Sequence, residues 1–323
     1  MRLSPGIAHR LARDPRFDRF EPREPVTLLY HGVSDDPQTI DLRLDAFSRH
    51  LEFMASSYTV VPWDDDPARS RPGDKVRVVL TFDDGFGNNA EVVAPALERL
   101  GLPAVFFICT RHCAGAEYLW FRHLDLVEKH YPGTVLEFEG RSWDMSSAAA
   151  RRATIAAIGD ILIDLEPHPT AMYEAIRAGL PRLEDFASEA VLREARGMTP
   201  DEVRAVASNK LFTIAAHTVD HPYLTRCEAA EARRQMAESK LWIEQTTGRE
   251  CPFMAYPSGD YDATTMRLAR EVGFTRAFAV RPRVGKDPRM ETGRFGVHRE
   301  GVDDLAIKVR WGTWLRRLGR PVN

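Results

Sequence analysis

Asp83 and Asp84 are adjacent carboxylates, followed at once by Gly85. Such a pair is electrostatically costly unless a cation lies beside it. Far downstream, His217 and His221 stand four residues apart in His217-Thr218-Val219-Asp220-His221-Pro222. On a helical turn that spacing brings both imidazoles to one face, as a metal site requires. Two imidazoles and one carboxylate form a facial N,N,O set with open positions. That set suits a catalytic Zn²⁺ or another divalent first-row ion. Asp-Asp-Gly alone is more often a turn, and a His-x3-His pair alone is common. Together, each just past the end of an expected strand, they are a much more specific signal of a metal site than either is alone.

Both motifs must be held by strands. The run Val76-Arg77-Val78-Val79-Leu80-Thr81-Phe82 before the aspartates is apolar and β-branched, as in a buried strand of a parallel sheet. Leu211-Phe212-Thr213-Ile214-Ala215-Ala216 before His217 reads the same way. Further strands are expected at residues 26–30, 59–61, 103–109, 252–256, 276–280 and 295–297. Helices are expected at 45–58, with Asp45 as cap, and at 89–100, 199–208, 228–246 and 262–272. Alternating strands and helices are the signature of an α/β fold, whose chemistry sits at the carboxyl ends of the strands. Residues 1–25 read as an Arg- and Pro-rich arm. Residues 112–200 break the alternation and read as a mostly helical insertion. Its aromatics Trp120, Phe121 and Trp143 are expected to form a small core of their own rather than to cover the cleft. Residues 304–323 read as a basic, Trp-containing amphipathic helix. It is expected to close the base of the barrel, with peripheral membrane contact as the alternative.

Thr81-Phe82-Asp83-Asp84-Gly85, with His217-Thr218-x-x-His221 downstream, resembles the NodB-like polysaccharide deacetylases, carbohydrate esterase family 4. The resemblance covers residues 26–300 apart from the insertion. It implies a distorted (β/α)7 barrel, with Asp83 as catalytic base and Asp84, His217 and His221 as metal ligands. The family's third motif carries an arginine and a tyrosine. Here the stretch is Met254-Ala255-Tyr256-Pro257-Ser258-Gly259, with Ala255 and Ser258 at those two places. The backbone N–H of Ser258 is expected at the oxyanion, with Tyr256 as support. Arg294 is the candidate to orient Asp83. Leu28-Leu29-Tyr30-His31-Gly32-Val33 resembles the N-terminal strand of circularly permuted members, where the histidine is the acid, so His31 is preferred over His298.

A net charge of −3 gives no bulk electrostatic case for nucleic acid. No apolar run reaches the length of a membrane span. The first 25 residues contain no continuous apolar stretch, so no secretory signal is read and the cytoplasm is the expected location. Cys109, Cys113, Cys227 and Cys251 fit no zinc-ribbon or redox spacing, and reduced thiols are expected. The remaining histidines His112, His123, His130 and His168 read as surface or packing residues. Arg281, Arg283 and Lys286 could meet an anionic group, although a solvated loop is the commoner outcome. The expected activity is removal of an N-acetyl group from an amino sugar, a nucleotide- or lipid-linked sugar, or a glycan. The alternatives are deformylation or O-deacetylation on the same fold, and a non-catalytic carbohydrate-binding barrel with a vestigial metal site.

Overall fold

The computed structural model describes residues 22, 24–34, 42–64, 74–115, 117–165, 167–282, 285 and 287–317. The expected arm up to residue 21, Arg283, Lys286 and the end of the tail helix lie outside them. Seven strands carry the architecture: β1 (Val26–Tyr30), β2 (Arg77–Phe82), β3 (Ala104–Ile108), β4 (Phe212–Ala216), β5 (Phe253–Ala255), β6 (Arg276–Ala279) and β7 (Thr292–Gly296). All neighbouring pairs are parallel, in sequential order. Pairing of β1 with both β7 and β2 closes the seven-stranded parallel barrel of the NodB-like fold. The short strand Thr59–Val60 adds to the start of β2.

Alternation along the strands sorts residues between two cores. Leu28, Tyr30, Leu80, Phe82, Phe106 and Ile214 pack outward under the helices in the main cluster. Val105, Phe107, Ala215, Phe253, Ala255 and Phe278 form a separate cluster within the barrel. The odd-numbered residues Thr81 and Asp83 share the inward parity of Val79. Asp83 therefore belongs at the barrel mouth, not among the helices.

Besides a single turn at Thr110–Cys113, the α-helices are α1 (Leu44–Ser57), α2 (Ala94–Arg99), α3 (Trp120–His130), α4 (Ala148–Asp164), α5 (Pro169–Gly179), α6 (Glu189–Ala195), α7 (Pro200–Ser208), α8 (Ala229–Thr247), α9 (Ala263–Val272) and α10 (Val302–Arg317). α7 starts with the full capping box of Thr199 and Glu202, and α9 with one from Asp262 and Thr265. Asp45 is not a cap: Arg43 holds that position, and Asp45 sits in the first turn, paired with Arg49. A π-helical turn, Asn89–Val93, precedes α2.

The segment between β3 and α7 holds α3 to α6 around its own core of Leu124, Val127, Phe138, Ile158, Leu162, Met172 and Ile176. It also holds an antiparallel hairpin, Val135–Phe138 with Arg141–Asp144, which the sequence reading did not anticipate. The hairpin turns at Glu139 and Gly140, both with positive φ, as a two-residue turn of twisted strands demands. α10 buries Leu305, Ala306 and Val309 and meets α1 on the barrel wall. Lys308 is buried too and donates to Gly296 O at 2.6 Å.

Candidate active site and metal centre

Ladder hydrogen bonds run one step past the strand ends and fix the first functional residue of each. Asp83 N donates to Tyr30 O at 2.9 Å, and His217 N to Ile108 O at 2.9 Å. Tyr30 pairs with Phe82 across β1 and β2, so His31 and Asp83 leave the sheet side by side. Beyond them the backbone departs from regular structure. Asp84, Thr218, His221 and Ser258 all have positive φ, at 76°, 69°, 57° and 54°. Strain of this kind in non-glycine residues gathers at functional sites, where surrounding contacts enforce it.

The histidine spacing does not act through a helix. His217–His221 is an irregular loop, and two positive-φ residues fold it so that both rings face Asp84. Thr218 Oγ1 accepts from His221 N at 3.1 Å. Gln235 of α8 braces the loop from behind. Its Oε1 accepts from Val219 N at 3.1 Å and Asp220 N at 2.9 Å, and its Nε2 donates to Asp220 Oδ2 at 2.6 Å. Arg111 also donates to the fully buried Asp220. The aspartate loop is clamped by the returning end of the insertion, through Gly87 N to Arg196 O and Met198 N to Gly85 O, both 2.8 Å. Gly85 has φ 79°, and a Cβ there would come within 2.8 Å of Cys113 Sγ and 2.9 Å of Ile108 Cβ, so the third residue of the motif must be glycine.

Asp84 Oδ1 lies 3.5 Å from His217 Nε2 and 3.6 Å from His221 Nε2. Two ligands about 2.1 Å from a tetrahedral ion stand about 3.4 Å apart. The donor set therefore fits a divalent cation, and it is the cluster with metal-ligand geometry among the described residues. His217 Nδ1 donates to Ala255 O at 2.9 Å, which leaves Nε2 with its lone pair toward Asp84. Burial pushes both histidines below their usual range, and Asp83 opposes this, so both stay neutral as ligands must.

Asp83 is not one of the three, although its Oδ2 lies 3.7 Å from His217 Nε2. The fully buried Arg294 grips it in a two-pronged pair, Nη1 to Oδ1 at 2.6 Å and Nη2 to Oδ2 at 2.7 Å. Arg294 comes from β7 and lies with its guanidinium 5.2 Å from the Phe107 ring centre, inside the barrel. Burial raises the Asp83 carboxyl, but the Arg294 charge, His217 and the hydrogen bonds to Arg294 outweigh it. The net position is below the ordinary carboxylate range.

The cleft above these groups has a volume of about 620 Å³ and takes in His31, His298, Ser258, Tyr256 and Arg281. His31 and His298 stack at 5.8 Å with 26° between their planes, so both candidate acids face the same space. Tyr256 is buried on the wall, but its hydroxyl donates to Met290 O at 3.0 Å and its ring stacks on Tyr261, so it supports the corner by packing. The bonds folding that corner use the N–H groups of Tyr256, Gly259 and Asp260. His112 Nδ1 donates to Glu117 O at 3.1 Å and His123 Nε2 to Pro181 O at 3.0 Å, both within the insertion. Trp120 and Phe121 do more than expected: Trp120 belongs to the insertion's core, and both residues also line the cleft.

The sequence profile described as "Polysaccharide deacetylase" matches residues 70–277. The chain belongs to the polysaccharide deacetylase family. For members of this family, an acetylated polysaccharide is the implied substrate class. Among curated relatives, the polysaccharide deacetylase YxkH of Bacillus subtilis is 22% identical over 121 residues, 38% of this chain and 42% of the relative. The alignment thus spans less than half of that protein. Among solved structures, IcaB from Ammonifex degensii aligns with TM-score 0.58 and 16% identity, covering 90% of this chain and 98% of that one. The Streptococcus pyogenes deacetylase PplD, in complex with acetate, aligns with TM-score 0.52 and 15% identity, covering 84% and 92%. At these identities the likeness concerns the fold.

Proposed function

We propose that this chain is a metal-dependent hydrolase that removes an N-acetyl group from an amino sugar or glycan precursor and releases acetate. The observation that carries the reading is the division of labour between neighbouring aspartates. Asp84 faces His217 and His221, while Asp83, locked by Arg294, presents an oxygen 3.7 Å from His217 Nε2. A carbohydrate-binding module has no use for a buried base beside its metal. The arginine absent from the third motif is supplied from β7, which removes the main support for that second reading.

When bound, a divalent cation, Zn²⁺ in this proposal, supplies a Lewis acid and lowers the pKa of a water. Asp83 accepts the proton of the attacking water. Arg294 keeps that carboxylate ionised and in one orientation. The backbone N–H of Ser258, displayed by its left-handed turn, is the proposed donor to the developing oxyanion. His31 gives a proton to the departing amine. It leaves the sheet beside Asp83, the N-terminal placement on which the likeness to permuted members rests. His298 stacks against it and lines the same cleft.

The proposed substrate is a nucleotide- or lipid-linked sugar or a glycan, met in the cytoplasm. Metal content and acetate release from N-acetyl sugars, in wild type and Asp83→Asn, test the central claim. The expected outcome is metal in both proteins and acetate only from wild type. Metal binding without acetate from any sugar of a broad panel would sink it. His31→Ala and His298→Ala identify the acid, since unimpaired turnover in His31→Ala would overturn the assignment.

A further inference from the structure

The aspartate loop leads into Asn89, the first residue of the π-helical turn before α2. Single turns of this kind are frequent at functional sites. Asn89 is completely buried. Its Nδ2 donates to His31 O at 3.1 Å and to Asn88 Oδ1 at 3.3 Å. A carbonyl can only accept, so the contact with His31 fixes which end of the amide faces it. The Asn89 oxygen is left with no donor among the described residues. A buried amide with one end unmatched is a burden on the fold, and packing alone does not call for one. The donor end is the part in use, and it is spent on His31. That histidine stands just past β1, half-buried on the wall of the cleft. The peptide before it is held by Asp83 N, which donates to Tyr30 O at 2.9 Å. The peptide after it is held by Asn89. Further on, Gly32 O accepts from Leu42 N at 3.2 Å. Two planar peptides of fixed orientation leave one direction for the Cα–Cβ bond between them. Residues 83–89 therefore carry the proposed base, a metal ligand and the side chain that clamps the backbone of the proposed acid.

We propose that Asn89 is a positioning residue for the acid: through the carbonyl of His31 it holds that imidazole at the departing amine. The proposal rests on the deacetylase reading with His31 as acid, and adds how the acid is registered against the base. When the C–N bond breaks, its electron pair goes to nitrogen, and nitrogen takes the proton of His31. An imidazole displaced by about 1 Å transfers that proton poorly. Asn89 follows Asp84 on one short segment, so a shift of the aspartate loop carries the acid with it and the two keep their spacing. Asn89 touches neither substrate nor metal in this scheme and moves no proton itself. Its influence is greatest where the leaving group needs a proton. An amine does, and a nitrophenolate does not.

The test uses metal-loaded protein and two substrates, the best N-acetyl sugar of the panel and 4-nitrophenyl acetate. It compares wild type, Asn89→Leu, His31→Ala and the double variant. Leucine keeps the branching of the side chain and removes the donor. The readout is the ratio of kcat for the amide to kcat for the ester, with metal content measured alongside. Asn89→Leu should lower that ratio about 10- to 100-fold and leave the metal content as in wild type. His31→Ala should lower it further. The double variant should match His31→Ala alone, because one group acts through the other. A wild-type ratio in Asn89→Leu, or losses that add in the double variant, overturns the role of Asn89. Should Asn89→Leu fail to fold, Asn89→Ala decides on the same two criteria. A lowered ratio in His31→Ala beside an unchanged one in Asn89→Leu removes Asn89 and leaves the acid standing. An unchanged ratio in His31→Ala removes His31 as the acid and the role of Asn89 with it. Ester cleavage by wild type without acetate from any N-acetyl sugar sinks the deacetylase reading itself, and the role of Asn89 falls with it.

Discussion

Arg294 and Asp83 define each other. A guanidinium and a carboxylate are both costly to bury, and their two-pronged contact offsets that cost only while both are present. Removal of one partner leaves an uncompensated charge inside the barrel. Arg294→Met should therefore destabilise the fold by about 3–5 kcal/mol, measured by urea unfolding. In the double variant Arg294→Met with Asp83→Leu, most of that loss should return, and a persistent loss would show that the pair is not its source. Asp83→Asn keeps the size of the side chain and the Asp84, His217 and His221 cluster but removes the carboxylate proposed as base. Its turnover should fall about 10²- to 10⁴-fold with metal binding retained. An intact rate would transfer the role of base to another group.

Loops, not regular elements, shape the metal cluster, and their geometry depends on what stands behind them. The His217–His221 loop includes two left-handed residues and is tied to α8 by Gln235. Gln235→Leu deprives the Val219 and Asp220 amides of their acceptor. Supports of this kind are worth about 10- to 100-fold in metal affinity. The variant should lose zinc to a competing chelator at correspondingly lower chelator concentrations, with its far-ultraviolet circular dichroism unchanged. Equal retention in both proteins would show that the loop holds its shape unaided. The aspartate loop has a different brace, the returning end of the insertion at Arg196 and Met198. The insertion is therefore built into the site on two sides, at this brace and at the Trp120–Phe121 turn.

Across the whole molecule, two buried histidines outside the ligand cluster, His50 and His112, set a pH limit on stability. Burial pushes both His50 and His112 down to about 4, against the ordinary 6.5. As pH falls, the unfolded chain takes up these protons before the folded one does. Their contribution is complete above about 6.5 and is lost on the way down to about 4. Urea midpoints should fall between pH 7 and pH 5, and less so in His112→Gln; an equal fall in both would exclude His112 as a cause. Binding of a divalent ion acts on the same balance, because it selects the folded state. Chelation should lower the melting temperature, and added zinc should restore it in wild type but not in His217→Ala.

The sequence by itself determined the strands, the barrel and the three residues Asp84, His217 and His221 that the fold gathers into a candidate metal cluster. These rest on local signals: β-branched runs, capping boxes such as Thr199 with Glu202, and donor residues placed just past strand ends. It also named Arg294 as a candidate to orient Asp83 in place of the arginine missing from the third motif. Other features had no local signal. The helical spacing of His217 and His221 suggested a turn that does not exist, since backbone strain there is imposed by Gln235 and Arg111 from other elements. The Glu139-Gly140 hairpin was hidden by an unremarkable turn sequence. Trp120 could be assigned to one core or one cleft, and only packing showed that a single side chain serves both. Only the tertiary structure decided that Asp83 and Asp84 part ways, one toward Arg294 across the barrel and one toward the histidines. Residues 211 positions apart in the chain meet there, and that contact is fixed by strand register and barrel closure rather than by any nearby sequence.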